Sequence, residues 1–189
     1  DINFKDKKAL IRVDFNVPLN KEFVVTDATR IEAAKPTIEK ILTDGGSCVL
    51  MSHLGRPKNK ELAFSLQHIV EAASKALGVP VLFAGDCVGD IAETAVANLK
   101  PGEVLLLENV RYYKEETAGD PEFAKRLSRL GDIYVNDAFG SAHRAHASTA
   151  IITEHFPKDK CFGALLASEI YNLEKVLGDS QKPVTAVIG

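Results

Sequence analysis

The chain has 189 residues and a formal net charge of −3 at pH 7, from 23 lysines and arginines against 26 aspartates and glutamates. This length can bury the core of one domain, or of one domain with an appendage. Basic and acidic residues are interleaved, which argues against a nucleic-acid coat, so any anion site must be local. No apolar run approaches the ~20 residues that a membrane-spanning helix needs.

The cysteines indicate a reducing compartment. Cys48, Cys87 and Cys161 are far apart, odd in number and without C-x-x-C spacing, a pattern that favours free thiols over disulfides or a zinc site. The first residues lack the layout of a signal peptide, so we expect a cytoplasmic protein. The chain begins without Met and stops in a strand-like stretch at 183–189, and we expect that it was cut from something longer.

Apolar runs predict five buried strands, at residues 9–13, 48–51, 79–83, 103–107 and 133–135. Amphipathic segments lie between them. A capping box at Thr29 predicts a helix that Pro36 divides and that ends at Gly45. Further helices are predicted from Ser65 to Gly78, over 88–99, from the N-cap Asp120 to Gly131, and over 165–177.

Short connections between alternating strands and helices are typical of repeated βαβ units. We therefore predict an α/β fold of the Rossmann-like type, with three α/β/α layers and a parallel sheet. Ligands bind such sheets at the carboxyl ends of the strands.

The stretch Ser-His-Leu-Gly-Arg-Pro at 52–57 leaves one of these strands abruptly. Gly55 permits backbone conformations closed to other residues and Pro57 fixes the exit, so His53 and Arg56 stand on a constrained turn. Taken alone, Arg56 is equally well interpreted as a solvated loop cation.

The same pattern recurs at other strand exits and at one helix start. The residues concerned are Asp14, Asn16, Arg30, His53, Arg56, Arg111, His143, Arg144 and His146. Because parallel strands end at one edge, we expect at least four guanidinium groups and up to three imidazoles in one cleft. That much positive charge requires an anion.

The residue types indicate the chemistry of that anion. Arginine suits planar, bidentate recognition of phosphate and carboxylate. Asp14 can accept a hydrogen bond from a hydroxyl group, and Asn16 can bridge a hydroxyl and an oxyanion. A small phosphorylated hydroxy acid satisfies both sets of groups.

Other polar residues allow simpler interpretations. Arg12 lies inside a strand, where pairing with a carboxylate is as plausible as ligand contact. His143 and His146 have H-x-x-H spacing, but no further ligand accompanies them, so we expect support for the arginines and no metal. Lys114, Glu115 and Glu116 are interpreted as a solvated charged segment.

Several common motifs are missing from the sequence. It has no G-x-G-x-x-G after the first strand, no Walker loop and no nucleophile elbow. These residues therefore encode neither a nucleotide site nor covalent catalysis.

Four motifs, in matching order, closely resemble the amino-terminal half of phosphoglycerate kinase from about Lys8 to Gly189. They are Arg-Val-Asp-Phe-Asn-Val-Pro at 12–18, the 52–57 stretch, Leu-Glu-Asn-Val-Arg at 107–111, and Asn-Asp-Ala-Phe-Gly through His-Arg-Ala-His at 136–146. The resemblance implies a glycolytic phosphotransferase that moves a phosphoryl group between 1,3-bisphosphoglycerate and ADP, giving 3-phosphoglycerate and ATP.

The resemblance also implies residue roles. The substrate-binding positions would be Asp14, Phe15, Asn16, Arg30, His53, Leu54, Gly55, Arg56, Arg111 and Arg144, supported by Arg12, His143 and His146. Arg30 matches the catalytic arginine that reaches the transferring phosphoryl group. Three others, Arg56, Arg111 and Arg144, match the residues that bind the substrate's other phosphate, at the end away from the transferring group.

In that family Mg²⁺ with ATP or ADP binds the carboxyl-terminal domain, and a hinge joins the halves. The resemblance divides this chain into a 3-phosphoglycerate-binding domain at 1–164, an interdomain helix and hinge at 165–182, and the first strand of a nucleotide-binding domain at 183–189. We expect a monomer that binds substrate and its own second domain, but neither nucleic acid nor membrane, and that transfers phosphate poorly alone. Alternatives are a stand-alone binding module for small phosphorylated acids, and an interaction domain that docks an acidic partner.

Overall fold

Six short strands form one parallel sheet in the computed structural model, which describes residues 2–142 and 144–177. The strands are β1 (Lys8–Arg12), β2 (Ser47–Met51), β3 (Val81–Ala84), β4 (Val104–Leu107), β5 (Ile133–Asn136) and β6 (Lys160–Phe162). Their order across the sheet is β3-β4-β2-β1-β5-β6. The mostly apolar strands β1 and β2 lie at its centre, and every residue of β2 is buried.

Helices cover both faces of the sheet. They are α1 (Thr29–Ala33), α2 (Lys35–Thr43), α3 (Val70–Leu77), α4 (Asp90–Asn98), α5 (Lys114–Ala118), α6 (Pro121–Ser128), α7 (Phe139–Ala142) and α8 (Ala164–Leu177). Short 3₁₀ turns occur at Leu62–Phe64, Leu66–Ile69, Val110–Tyr112 and Ile151–His155.

Successive residues of a strand pack into two separate hydrophobic clusters, one on each face of the sheet. Ile11 packs on one face of the sheet with Ile31 and Ile38 of α1 and α2, whereas Leu10 packs on the other with Phe123 of α6. This alternation follows from the two-residue period of a strand, and it produces two cores. The predicted α/β fold with a parallel sheet between helical layers is confirmed.

The start of α1 corrects the predicted capping box. Thr29 is the first helical residue, and the N-cap position is Ala28, which makes no side-chain cap. Instead, Asp27 Oδ1 accepts from the Thr29 backbone N–H at 2.9 Å and from its hydroxyl at 2.6 Å. The division at Pro36 is confirmed, because α1 and α2 separate at Ala34 and the proline stands in the first turn of α2.

The ends of other helices and strands show which residues in the sequence predicted them correctly. Asp120 accepts from the Phe123 N–H at 2.7 Å, as predicted for the N-cap of α6, and Gly78 ends α3 at φ +75°. Strand β3 begins later than predicted because Pro80 has no N–H to donate to the sheet. Strand β6 was not predicted, because it is a three-residue edge strand whose first and last residues are exposed.

Helix α8 is fastened to the sheet at its amino end. Asp137, just after β5, accepts from the Leu166 N–H at 3.1 Å, and Thr37 of α2 accepts from the Ala164 N–H at 2.8 Å. The Thr37 hydroxyl in turn donates to Asp137 at 2.5 Å. The predicted hinge after α8 and the final strand lie outside the described residues, so the proposed division at 164 and 182 stays a prediction.

None of the helices over 2–142 and 144–177 combines the length and the apolar character needed to cross a bilayer.

Candidate active site

The loops that leave β1, β2, β4 and β5 meet around a cavity of about 240 Å³ at the carboxyl edge of the sheet. Its lining residues are Asp14, Asn16, Arg30, His53, Gly55, Arg56, Arg111, Gly140, Ser141 and Arg144. The structure thus brings most of the predicted site residues together. Phe15 and Leu54 are buried behind this lining, and His143 lies outside the described residues.

Gly140 and Ser141 are lining residues that the sequence analysis did not single out. A Cβ on Gly140 would lie 3.1 Å from Asp14 Oδ2, so the short helix α7 approaches the loop after β1 closely. A glycine a few residues after a buried strand was the available signal.

Positive charge dominates the cavity. Arg30 Nη1 lies 2.7 Å from Asp14 Oδ2, and its side chain is 55% exposed. Within the described residues, no carboxylate forms a salt bridge with Arg56, Arg111 or Arg144. Burial, and then the neighbouring positive charges of Arg12 and Arg144, lower the pKa of Arg111.

The turn at Gly55 is held by the neighbouring loop. Gly55 has φ +60°, in the left-handed region, and its N–H donates to Asn16 Oδ1 at 2.8 Å. Ser52 Oγ accepts from the Phe15 N–H at 2.8 Å. The first of these bonds occupies the side-chain carbonyl of Asn16, a cavity-lining residue whose side-chain amide donates to no group of the described residues.

Asn109, which is buried shortly after β4, supports the same turn from the other side. The Asn109 amide donates to the carbonyls of Leu54 and Phe64, each at 2.9 Å, and its Oδ1 accepts from the Arg111 N–H at 3.0 Å. Arg111 Nη1 then donates to the Gly55 carbonyl at 2.9 Å.

Glu108 has a separate scaffold role. Its carboxylate accepts from the Ser65 hydroxyl at 2.7 Å and from the Leu66 N–H at 2.8 Å. Neither Glu108 nor Asn109 was predicted from the sequence as a site residue, although two polar residues directly after an apolar strand were a visible signal.

Arg12 is fully buried behind the cavity and does not line it. Its Nε donates to Ser148 Oγ at 2.9 Å, and Nη2 lies 3.0 Å from His53 Nδ1. Its Nη1 also donates to the Val13 carbonyl. Arg12 therefore contacts His53 from behind the cavity lining and helps to hold the imidazole ring in place.

Glu116 corrects the interpretation of 114–116 as a solvated segment. This residue of α5 is 0% exposed, and its carboxylate accepts from the Ser148 hydroxyl at 2.6 Å and from the Ser148 N–H at 2.9 Å. The physical reason is that the loop around Ser148 folds over α5 and supplies the hydrogen bonds that a buried carboxylate needs.

Two histidines at the site, His53 and His146, have lowered pKa values. Burial, together with Arg12 and Arg111, lowers the pKa of His53 to about 2. Burial also lowers the pKa of His146, whose Nδ1 lies 3.9 Å from Glu116 Oε1. His146 lines a second cavity of about 370 Å³ that shares Arg56, Arg111 and Arg144 with the first.

No group of three or more histidines, cysteines and acidic residues in the described part of the chain could hold a metal ion. The fold and this site define a parallel α/β domain with a strongly cationic cleft at the carboxyl edge of its sheet.

Comparisons with known proteins place that domain in a family. A sequence profile described as phosphoglycerate kinase matches residues 1–189, and the chain belongs to the phosphoglycerate kinase family.

Curated relatives support the same assignment. The chain is 49% identical to phosphoglycerate kinase of Porphyromonas gingivalis, an alignment that covers 99% of this chain and 50% of that protein. It is 50% identical to phosphoglycerate kinase of Chlorobaculum tepidum, covering 100% of this chain and 48% of the relative. The chain spans about half the length of the curated relatives it matches.

Solved structures agree in fold. The crystal structure of phosphoglycerate kinase from Pyrococcus horikoshii OT3 matches with a TM-score of 0.86 at 29% identity, covering 96% of this chain and 46% of that one. The structure of phosphoglycerate kinase from Coxiella burnetii matches with a TM-score of 0.82 at 38% identity, covering 97% and 45%.

Proposed function

We propose that this chain is the substrate-binding half of a glycolytic phosphoglycerate kinase. It would bind 3-phosphoglycerate or 1,3-bisphosphoglycerate, and the whole enzyme would transfer a phosphoryl group reversibly between the latter and ADP. The observation that carries the proposal is the convergence of Arg56, Arg111 and Arg144 on one small cavity, without salt-bridge partners among the described residues.

These three arginines would hold the phosphate that does not transfer. A charge-assisted hydrogen bond contributes on the order of 1.5–3 kcal/mol, and a guanidinium can form two to one phosphate. Asp14 would accept a hydrogen bond from the substrate hydroxyl, and the free amide of Asn16 would donate to a carboxyl or phosphate oxygen. Phe15 and Leu54 would support these contacts from behind.

Arg30 would act in the transfer itself. Its half-exposed guanidinium lies at the cavity lining beside Asp14, where it can meet the carboxyl group that gives or receives the phosphoryl group. A phosphoryl transition state spreads negative charge over its oxygens, so a positioned cation stabilises it. Catalysis would consist of positioning and charge stabilisation, without a covalent enzyme intermediate.

The nucleotide would come from the half of the protein that this chain lacks. We propose that Mg²⁺ with ATP or ADP binds there, and that 165–182 forms the helix and hinge that lead to it, with 183–189 as its first strand. The chain alone would therefore bind substrate but transfer phosphate poorly.

An apolar groove supports a partner domain of this kind. It encloses about 1080 Å³ between α7, β6 and α8, and it is lined by Phe139, Phe162 and Leu173 among other residues. Each of these three side chains is at least 39% exposed. Exposed apolar surface of this kind marks an interaction site, and we propose that the protein's own second half contacts it. We further propose that the complete protein is a cytoplasmic monomer.

Calorimetric titration of the 189-residue chain with 3-phosphoglycerate tests the binding role. Wild type should show saturable binding, and Arg111→Gln should weaken it by about 10- to 100-fold, the loss of one or two charge-assisted bonds. Arg126→Gln is the matched control, because Arg126 is an exposed arginine of α6 outside the cavity. A folded chain that binds nothing, or equal weakening by both variants, would contradict the proposal.

A further inference from the structure

His53 lies between the cationic cavity and the buried Arg12, so its two ring nitrogens meet different surroundings. Nδ1 is 3.0 Å from Arg12 Nη2. No described residue forms a hydrogen bond with Nε2, and the residue lines the cavity. One nitrogen thus contacts the protein, and the other is free for whatever the cavity binds.

The contact with Arg12 determines where the ring proton lies. A guanidinium group has only donors, so Nδ1 of His53 must accept and must carry a lone pair. The single proton of a neutral ring then has to sit on Nε2. A positively charged ring would place a second N–H against Arg12, which both the geometry and the neighbouring cations oppose.

Arg12 is itself held in place by a bond with a defined direction. Its Nε donates to Ser148 Oγ at 2.9 Å, and the Ser148 hydroxyl donates onward to Glu116 at 2.6 Å. Because arginine only donates and an ionised carboxylate only accepts, the serine hydroxyl can point only one way. Glu116 supplies the buried negative charge that balances Arg12. Because Ser148 bonds to both residues, the position of Glu116 determines the orientation of the Arg12 guanidinium.

We propose that Glu116, Ser148 and Arg12 form a positioning relay that fixes His53 as the neutral tautomer protonated on Nε2, and that this N–H donates to an anionic oxygen of the bound ligand. The identity of that ligand as 3-phosphoglycerate rests on the proposed function, whereas the tautomer does not. Glu116 and Ser148 are thus positioning residues that act through Arg12, at a distance from the ligand.

Nitrogen NMR of the ligand-free chain tests the tautomer directly. The chain is labelled with ¹⁵N-histidine, and loss of a signal in His53→Gln assigns the residue. The proposal predicts a neutral ring at every pH from about 5 to 8, whose protonated nitrogen couples to both carbon-bound ring protons, as Nε2 does. A proton on Nδ1, or a ring that titrates in this range, overturns the proposal.

Two variants test the relay. Arg12→Met removes the donor to Nδ1, and Ser148→Ala cuts the link between Arg12 and Glu116. Each should produce a mixture of tautomers or a ring that charges between pH 5 and 8, whereas Ser128→Ala, at a partly exposed serine of α6, should leave His53 unchanged. Circular dichroism confirms folding, and if Arg12→Met does not fold, Ser148→Ala decides. A His53 spectrum identical to wild type in the folded variants overturns the relay.

Titration with 3-phosphoglycerate separates this inference from the proposed function. Binding should shift the Nε2–H resonance of His53, and Ser148→Ala should weaken binding by roughly tenfold, as expected for one misplaced hydrogen bond. If the ligand binds without moving that resonance, the inference is wrong and the proposed function stands. If wild type binds no 3-phosphoglycerate, the proposed function fails, and the ligand-free spectrum still decides the relay.

Discussion

Replacement of Gly55 by alanine should damage the candidate site without touching a charged residue. Gly55 has φ +60°, and a Cβ built on it would lie 2.5 Å from Phe64 Cε1 and 2.6 Å from Cδ1. The left-handed conformation costs an L-residue roughly 1–2 kcal/mol, and relief of the clash requires the Phe64 ring or the turn to move. We expect a loss of about 2–3 kcal/mol in the free energy of unfolding.

The displacement should also reach the arginines. The Gly55 carbonyl accepts from Arg111, and the Phe64 carbonyl is held by Asn109, which also binds the Arg111 N–H. A shift of the turn therefore moves Arg111 through two routes. Because Arg56 follows Gly55 directly, the affinity for 3-phosphoglycerate should fall by about tenfold or more.

Two other glycines allow these effects to be separated. Gly102 has φ +86° with no atom within 4 Å of a built Cβ, and Gly85 has open space and no positive φ. Gly102→Ala should therefore show the backbone strain alone, and Gly85→Ala neither effect. Urea denaturation measures the free energy of unfolding and calorimetry measures the affinity. If Gly55→Ala matches Gly102→Ala in both, the contact with Phe64 and its link to Arg111 are not as described.

Three further predictions concern stability. The pKa of His53 is lowered from 6.5 to about 2 in the folded chain. Between these two pH values the unfolded chain binds a proton at His53 and the folded chain does not, so the free energy of unfolding should fall by ~2 kcal/mol from pH 8 to pH 5. Urea titrations at both pH values should show a smaller fall in His53→Gln, and an equal fall would rule out this origin. Gly163→Ala would place a Cβ 2.2 Å from Asp137 Cγ, just before α8, and should lower the free energy of unfolding by ~1–3 kcal/mol. A free energy equal to that of Gly85→Ala would show that the structure relieves this clash at no cost. Asn109→Ala leaves the buried Leu54 carbonyl and the partly buried Phe64 carbonyl without their donor and should cost ~2–3 kcal/mol in the same assay, so a value near zero would contradict the scaffold role of Asn109.

The parallel sheet was predictable because its central strands are buried on both faces. A strand of this kind reads as a nearly continuous apolar run, as residues 48–51 of β2 do, and the short connections leave little choice of topology. Strand β6 offered no such pattern, since Lys160 and Phe162 are exposed. Its pairing with β5 depends on where the chain returns, which a local window does not contain.

The arginine cluster was also accessible from sequence, because strand exits on one edge must meet. What could not be predicted is the set of buried polar groups that support it. Glu116 stands in a charged segment, and its burial depends on Ser148, which lies 32 residues further along the chain. Helix α1 shows the same difficulty at short range. Thr29 was the predicted N-cap, but its N–H and hydroxyl donate to the carboxylate of Asp27.

A crystal structure of the chain with 3-phosphoglycerate tests the central claim most directly. The account predicts electron density in the cavity lined by Asp14 and Arg111, with the phosphate within hydrogen-bond distance of Arg56, Arg111 and Arg144. The carboxyl group should point toward Arg30, and one ligand oxygen should accept from His53 Nε2. Density for the ligand elsewhere on the domain, or a phosphate that contacts none of the three arginines, would contradict it.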